Sequence, residues 1–242
     1  MLLVEDNRVN QLLATQMFKK LGVLLDVANN GEEAIQHLQD ERYDVVLMDI
    51  QMPVMDGLQA TKLIRQDERF AVLPIVAMSA GVTMDEREKC SAAGMTDFIG
   101  KPIDSVQLTN KLVALCKSAT VNPVSQGATI GVVFMEGFDE ARLEEVSALL
   151  GDSDVLIELI ETMRQEFVGL PCEIENLLAQ GEVVMAKRKL HALKGVAGNL
   201  GAVQIQAAAK AMEIKLEAGE EAGAELRNLA QVWNAFEKLK AA

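Results

Sequence analysis

Acidic side chains follow two apolar segments of the chain, at the point where each segment ends. Asp49 ends the run Val45–Met48, and Glu5 and Asp6 follow the run Leu2–Val4. Both runs are apolar without alternation, which is typical of parallel strands covered by helices on both faces. Because parallel strands end at one edge of a sheet, we expect the three carboxylates to meet there if the two strands are neighbours. Carboxylates that converge in this way favour a hard divalent cation such as Mg²⁺.

Two other predicted strands end in polar groups that suit a phosphate. Ser79 follows Ile75–Met78, and Lys101 follows Phe98–Gly100. A hydroxyl can donate to a phosphoryl oxygen, and an ammonium can neutralise phosphoryl charge. With Asp49 as the nucleophile, these groups predict a phosphoryl-transfer site.

The chain has two histidines, and only one of them lies in a basic segment. We interpret His37, which stands among carboxylates, as a surface residue without a role. On a helix, Lys187 and Lys194 lie one turn before and after His191. We therefore predict an exposed imidazole at His191, whose lysine neighbours attract an acyl phosphate on a partner and stabilise a phosphohistidine.

Two glycines follow His191 in the same predicted helix. Gly195 and Gly198 each cost about 0.5–1 kcal/mol relative to alanine in a helix interior. We predict that close approach of another protein's surface is the reason for both.

The order of secondary-structure signals predicts two domains joined by a linker in a chain of 242 residues. Residues 1–118 alternate five strands (near 2–5, 23–28, 44–49, 73–78 and 96–100) with five helices (near 8–20, 31–40, 57–67, 84–93 and 104–117). Residues 119–138 are predicted to be a linker, whose apolar patch 132–135 packs on a domain. Residues 139–242 are predicted to form an antiparallel helical bundle, with helices near 139–150, 153–179, 182–199, 203–218 and 222–240. Pro171 should bend or break the second of these helices.

Composition and charge exclude several classes of partner. The net charge of -13 argues against nucleic acid and against an anionic membrane surface as partners, and we expect no direct membrane insertion by this chain. Cys90, Cys116 and Cys172 lack metal-site spacing and are interpreted as reduced thiols. With no signal peptide and no membrane-spanning run, we expect a cytoplasmic location. The start of a strand at residue 2 suggests a piece of a longer protein.

Four segments resemble, in order and spacing, the response-regulator receiver family: Leu2–Asn7, Met48–Gly57, Met78–Ala80 and Lys101–Pro102. The resemblance implies an α/β flavodoxin-like fold, with five parallel strands in the order 2-1-3-4-5 and five helices. It also implies phosphorylation of Asp49 from a phosphohistidine, assisted by Lys101. The implied Mg²⁺ ligands are Glu5, Asp6, Asp49 and the backbone carbonyl of Gln51. Ser79 and Phe98 are the implied switch residues, and the family suggests a cis bond before Pro102.

The run from His191 to Gly195 resembles the His-x-x-Lys-Gly core of a histidine phosphotransfer (HPt) domain. The predicted bundle 139–242 fits that all-α family. The resemblance implies that His191 is phosphorylated, with support from Lys187, Lys194, Gly195 and Gly198. Val196 departs from the family, which more often has alanine or a small polar residue there.

The order of the two modules resembles the C-terminal part of a tripartite hybrid sensor histidine kinase. The implied function is a phosphorelay, in which an upstream kinase core on the same full-length chain phosphorylates Asp49. His191 then exchanges phosphate with a downstream receiver domain. The chain contains neither glycine-rich ATP-binding boxes nor a P-loop, so we do not expect a complete kinase. An inner-membrane anchor before residue 1 is compatible with this resemblance.

Two other functions remain open. The chain could be a non-catalytic docking module in which His191 is inert. It could also be an aspartyl-nucleophile phosphatase of the haloacid-dehalogenase kind, but that family requires Asp-x-Asp where this chain has Asp49, Ile50 and Gln51. A flexible linker of about twenty residues spans about 25 Å on average, so transfer within one chain and transfer between chains are both open.

Overall fold

The structure is a computed structural model that describes residues 1–79, 84–101, 103, 105–115, 137–151 and 153–239. The chain divides into two compact units, residues 1–125 and 126–242. Apart from Gly137 and Phe138, the predicted linker lies outside the described residues, and so do its apolar patch and Pro102.

The first unit contains a five-stranded parallel sheet in the order β2-β1-β3-β4-β5, as predicted. The strands are β1 (Leu2–Val4), β2 (Asp26–Ala28), β3 (Val46–Asp49), β4 (Ile75–Ser79) and β5 (Asp97–Gly100). The helices are α1 (Arg8–Lys20), α2 (Gly31–Asp40), α3 (Gly57–Ile64), α4 (Met84–Ala93) and α5 (Ser105–Leu115). Every residue of β1, β3 and β4 is buried, which explains their unbroken apolar sequences.

Strand β2 begins three residues later than the sequence predicted. The end of α1 takes up the intervening residues, because the amide of Val23 donates to the carbonyl of Phe18. Gly22 makes this turn with a φ of 69°, in the left-handed region that glycine favours. Leu24 is then left 89% exposed.

Three of these helices begin with a capping side chain just after a strand. The side chains of Asn7, Asn30 and Asp56 accept hydrogen bonds from the first-turn amides of α1, α2 and α3. A cap of this kind contributes about 1 kcal/mol and fixes the residue at which the helix begins. The caps therefore fix the geometry of the loops at the carboxyl edge of the sheet.

The second unit is helical throughout its described residues. Its helices are α6 (Glu140–Leu150), α7 (Ser153–Glu166), α8 (Leu170–Ala179), α9 (Val183–Leu200), α10 (Val203–Glu217) and α11 (Gly223–Lys238). The predicted helix 153–179 is thus broken into α7 and α8, as Pro171 indicated. The break precedes Pro171 at Gly169, whose φ is 70°. Proline lies in the first turn of α8, where a missing amide is tolerated.

Gly57 is required by the close approach of α3 to β3. A Cβ atom at Gly57 would overlap the backbone carbonyl oxygen of Asp49. The amide of Gly57 also donates to the carbonyl of Ile50 at 3.0 Å. The start of α3 therefore supports the backbone that carries the Asp49 carboxylate.

We expect Gly57→Ala to destabilise the first unit by about 3 kcal/mol, because the added methyl group meets backbone atoms that cannot rotate away. Urea denaturation followed by circular dichroism measures this change. Gly195→Ala is the matched control, since no heavy atom lies within 4 Å of its added methyl group. Equal stability of the Gly57→Ala variant and the unmodified protein would contradict the close approach.

Candidate functional site

The predicted acidic residues meet at the carboxyl edge of the sheet. Val4 pairs with Met48 in the β1–β3 register, so Glu5 and Asp49 follow side by side. One carboxylate oxygen each of Glu5, Asp6 and Asp49 lies within 4.8 Å of the other two. Glu5 and Asp49 are buried, with 2% and 4% of their surfaces exposed. We call these three residues and Lys101 the acidic pocket.

Lys101 brings the one ammonium group of the acidic pocket to these carboxylates. Its Nζ donates to Glu5 Oε2 at 2.7 Å and to Asp49 Oδ2 at 2.6 Å. The Lys101 side chain is only 5% exposed. The Lys101 amide donates to the carbonyl of Ser79, so the ends of β4 and β5 lie together at this edge. Ser79 is buried at the end of β4.

Burial and mutual repulsion shift the titration of the acidic pocket. Burial raises the pKa of Glu5. Burial, followed by the charges of Glu5 and Asp49, raises the pKa of Asp6 to about 7. Burial alone would lower the pKa of Lys101, but the charges of Asp49 and Glu5 outweigh it and raise that pKa. When all three carboxylates are ionised, they and the one ammonium carry a net charge of two negative charges, so a divalent cation with oxygen ligands fits this pocket.

The structure adds two asparagines that the sequence did not single out. Asn10 Nδ2 donates to Glu5 Oε1 at 2.9 Å, and the side chain of Asn7 caps the helix that carries Asn10. Gln51 is exposed, and its amide lies 3.3 Å from Asp49 Oδ1. Phe98 is half-buried on β5, where it pairs with Ala77.

The prediction that His191 is exposed is wrong. Its side chain lies on α9 against α10 and is 12% exposed. Nδ1 of His191 lies 2.9 Å from Glu213 Oε1. Lys194 forms an ion pair with Glu213 Oε2, and its Nζ lies 3.3 Å from His191 Nδ1. The sequence prediction considered neighbours on one helix and missed the carboxylate on the next.

The Glu213 carboxylate determines which ring nitrogen of His191 carries hydrogen. Burial would raise the pKa of Glu213, but hydrogen bonds from His191 and Lys194 outweigh it and lower that pKa. An ionised carboxylate only accepts hydrogen bonds, so Nδ1 carries the hydrogen and donates it. The lone pair of the neutral imidazole is then on Nε2. The stabilisation that His191 and Lys194 gain from the ionised Glu213 is present at neutral pH and is lost as pH falls through the lowered pKa of Glu213.

The other predicted supports of His191 also meet α10. Lys187 Nζ lies 3.6 Å from Glu217 Oε1, so it too has an acidic neighbour. A Cβ atom at Gly198 would overlap the side-chain amide nitrogen of Gln206. The end of the flexible Gln206 side chain can move to make room for a methyl group, so packing within the domain does not by itself require Gly198, and the expected contact with another protein stays a prediction. Gly195 is buried in α9, but no heavy atom outside its own stretch of helix lies within 4 Å of its added Cβ position, so a side chain would have room there.

One geometric signal could have identified Glu213. Helices α9 and α10 are joined by a tight turn at Gly201, whose φ is 79°. His191 and Glu213 are each eleven residues from Ala202, and Gly198 and Gln206 are each four residues from it. An antiparallel helix pair with so short a turn brings such residues opposite one another.

The structure also describes the other histidine, two of the three cysteines and the lengths of the helices. His37 is half-buried, and its Nδ1 lies 3.1 Å from the Tyr43 hydroxyl. Cys90 is a buried free thiol and Cys172 an exposed one, whereas Cys116 lies outside the described residues. None of the helices in the described part of the chain is long and apolar enough to cross a membrane.

Comparisons with known proteins give the family of each unit. A family model described as "Response regulator receiver domain" matches residues 1–113. A second, described as "Hpt domain", matches residues 143–242. The crystal structure of the receiver domain of a Pseudomonas aeruginosa sensor histidine kinase is 38% identical and contains a magnesium ion in its active-site cleft. This chain covers 96% of that structure, which covers 48% of this chain with a TM-score of 0.46.

Curated relatives are histidine kinases and sensor proteins. "Histidine kinase 5" of Arabidopsis thaliana is 41% identical over 42% of this chain and 14% of its own length. "Sensor protein GacS" of Pseudomonas syringae is 29% identical over 89% of this chain and 24% of its own length. "Hybrid signal transduction histidine kinase A" of Dictyostelium discoideum is 44% identical over 46% of this chain and 5% of its own length. The chain thus spans less than a third of these relatives. Family models thus find a response regulator receiver domain in residues 1–113, followed by an Hpt domain in residues 143–242.

Proposed function

We propose that this chain is a phosphorelay fragment, in which Asp49 accepts a phosphoryl group from a phosphohistidine and His191 exchanges one with an aspartyl phosphate. The observation that carries the proposal is the acidic pocket, where three carboxylates and one ammonium converge. We further propose domain limits of 1–118 and 139–242, with a linker between them.

Asp49 is the nucleophile of the first step. One of its carboxylate oxygens forms a bond to phosphorus as the phosphorus–nitrogen bond of the donor phosphohistidine breaks, and the donor imidazole leaves. The Lys101 ammonium, already 2.6 Å from Asp49 Oδ2, is placed to pair with the transferred phosphoryl oxygens. Ser79, at the end of the neighbouring strand, supplies a hydroxyl as donor. Phe98 and Ser79 are proposed to respond to the modification.

The carboxylates of Glu5, Asp6 and Asp49 and the backbone carbonyl of Gln51 are proposed to hold Mg²⁺. Mg²⁺ fits this site by charge and by ligand type. The carboxylate oxygens lie within 4.8 Å of one another, and the ionised acidic pocket carries a net negative charge that the cation would offset. Bound Mg²⁺ supplies positive charge that offsets carboxylate and phosphoryl repulsion.

His191 is the nucleophile of the second step. Glu213 holds the hydrogen on Nδ1, so the lone pair of Nε2 forms the bond to phosphorus as the bond from phosphorus to the aspartyl oxygen breaks. Glu213 then offsets part of the positive charge that develops on the ring. Lys194 has to exchange Glu213 for a phosphoryl oxygen if it stabilises the phosphohistidine. Gly195 provides open space for the approach of a receiver domain.

The proposed partners follow from these two steps. A histidine kinase core, on the same full-length chain, is the upstream donor, and another receiver domain is the downstream acceptor. The setting proposed for the fragment is the cytoplasm, with neither nucleic acid nor direct membrane insertion involved. The chain spans less than a third of its kinase relatives, so these partners belong to the proposal.

A docking module with an inert His191 is the second candidate. The low exposure of the His191 side chain, 12%, and the pairing of Lys194 with Glu213 favour it. Chemical labelling separates the two candidates.

Incubation with acetyl phosphate and Mg²⁺ should place phosphate on Asp49 and on His191. Phosphohistidine is acid-labile and base-stable, so this fraction of the label should disappear in His191→Gln. His37→Gln is the matched control and should keep it. Mass mapping of the modified sites is the measurement. Label on Asp49 without any on His191 would support the docking module instead.

Binding of Mg²⁺ should weaken as pH falls below about 7. Asp6 has its pKa raised to about 7, so below that pH a proton competes with the cation for the acidic pocket. The affinity should fall by up to about tenfold per pH unit and level off above pH 7. Calorimetric titrations at pH 6, 7 and 8, in buffers of different ionisation enthalpy, measure affinity and proton release. Unchanged affinity between pH 6 and pH 8 would contradict the raised pKa.

Removing the Glu213 carboxylate should change the tautomer of His191. In Glu213→Ala, we expect hydrogen to shift towards Nε2 and transfer to His191 to slow about tenfold, or about 1.4 kcal/mol in barrier. Glu213→Gln is the matched control, because its amide oxygen still accepts from Nδ1. Long-range ¹H–¹⁵N spectra identify the tautomer, and rapid-quench assays give the rate. If Glu213→Ala keeps hydrogen on Nδ1, the positioning role of Glu213 is wrong.

A further inference from the structure

The two carboxylate oxygens of Glu5 face different parts of the first unit. Oε2 accepts from Lys101 Nζ at 2.7 Å. Oε1 accepts from Asn10 Nδ2 at 2.9 Å and lies 3.4 Å from the backbone amide of Asn7. Glu5 and Asn10 are both buried, with 2% and 6% of their surfaces exposed. Lys101 therefore fixes one oxygen of Glu5, and the beginning of α1 fixes the other.

The geometry at the beginning of α1 explains why Asn10 reaches Glu5. Asn7 is the N-cap of α1, and its side chain accepts from the amide of Asn10, the third residue of the helix. In a capping box, the side chain of the third residue turns back and accepts from the N-cap amide. Here the Glu5 carboxylate lies against that amide, and the Asn10 side chain donates to the same carboxylate. Helix α1 therefore presents two donors and the positive end of its dipole to one oxygen of Glu5.

A glutamate side chain has several rotatable bonds, so its orientation affects how well it binds a cation. Fixing such a side chain costs conformational entropy. A residue that fixes it beforehand removes this cost from the binding step. Partners that orient metal-ligating side chains contribute about 10- to 100-fold to metal affinity. Asn10 is placed to act as such a partner, because it is buried and donates to the carboxylate of Glu5.

We propose that Asn10 is a positioning residue for Mg²⁺ binding, which acts through Glu5 and is not a ligand itself. Its side-chain amide holds the Glu5 carboxylate in one orientation, with Oε2 towards Lys101, before a cation binds. The effect on the cation rests on the Mg²⁺ site of the proposed function. The contact between Asn10 and Glu5 can be tested without a cation.

Calorimetric titration of the full chain with MgCl₂ at pH 8 tests the effect on the cation. We expect Asn10→Ala to raise the Mg²⁺ dissociation constant about tenfold. Gln11→Ala is the matched control, because Gln11 is the next residue of α1 and donates to the backbone carbonyl of Glu5, at 2.6 Å, rather than to its carboxylate. Gln11→Ala should leave the constant unchanged. Equal affinity in Asn10→Ala and the unmodified protein overturns the inference, and so does an equal loss in both variants.

A second substitution at Asn10 covers the case in which Asn10→Ala does not fold. Leucine has about the size of asparagine but cannot donate a hydrogen bond, so Asn10→Leu fills the same space. It should show the same loss of Mg²⁺ affinity, and circular dichroism verifies that each variant is folded. A folded Asn10→Leu variant with the affinity of the unmodified protein overturns the inference.

A double-mutant cycle tests whether Asn10 acts through Glu5. In a Glu5→Ala background, adding Asn10→Ala should not weaken Mg²⁺ binding further, because the shared contact is already absent. A second loss of about tenfold, additive with the first, overturns the route through Glu5.

The Mg²⁺ dependence of phosphorylation separates positioning from general damage to the site. With acetyl phosphate as donor, Asn10→Ala should raise the Mg²⁺ concentration at half-maximal rate about tenfold. The rate at saturating Mg²⁺ should stay unchanged, because the bound cation then orients Glu5. A slower rate at saturating Mg²⁺ with an unchanged half-maximal concentration overturns the positioning role.

Hydrogen exchange of the Asn10 side-chain amide separates this inference from the proposed function. Without Mg²⁺, ¹H–¹⁵N spectra should show these hydrogens exchanging about tenfold more slowly in the unmodified protein than in Glu5→Ala, because a charged acceptor holds them. Equal exchange rates overturn the contact. If the unmodified protein binds no Mg²⁺, the proposed Mg²⁺ site is refuted together with the effect of Asn10 on it, while the exchange rates still decide whether Asn10 positions Glu5.

Discussion

Repulsion between carboxylates at one edge of the parallel sheet is the constraint on which the first unit depends. At separations of up to 4.8 Å, two such charges repel by about 3.5 kcal/mol or more at an effective dielectric constant of about 20, whereas each Lys101 contact attracts by about 6 kcal/mol. Lys101 therefore offsets the repulsion between Glu5 and Asp49. Burial, followed by the charges of Glu5 and Asp49, raises the pKa of Asp6 to about 7, and the charge of Lys101 offsets only part of this rise.

In the second unit, too, a lysine offsets the charge of a carboxylate beside a proposed nucleophile, but the charges are arranged differently. His191 lies against the Glu213 carboxylate, and Lys194 binds the other oxygen of that carboxylate. The contact uses Nδ1, so it fixes the ring without occupying the nitrogen that is proposed to react. In both units, a buried or half-buried ion pair orients the proposed nucleophile before any partner arrives. Removing one member of such a pair leaves an uncompensated charge, which is more costly than never having formed the pair.

Sequence reasoning succeeded where a local rule fixes the geometry. The parallel register made Glu5 and Asp49 neighbours, and the caps at Asn7, Asn30 and Asp56 fixed helix starts. It failed where a residue's environment comes from another helix. The residues three and four positions from His191 do not indicate that Glu213 contacts its ring. Helix propensity likewise does not indicate that the side chain of Gln206 lies over Gly198.

The helices beside the sheet differ in how firmly they are held. Helix α3 approaches Asp49 so closely that Gly57 has no room for a methyl group, so the nucleophile rests on a backbone that cannot shift cheaply. Helix α4 buries two small side chains and adds a stacking contact through Arg87. Helix α4 is therefore held less firmly than α3, because a helix that buries little apolar surface is displaced at a lower free-energy cost than a close-packed one.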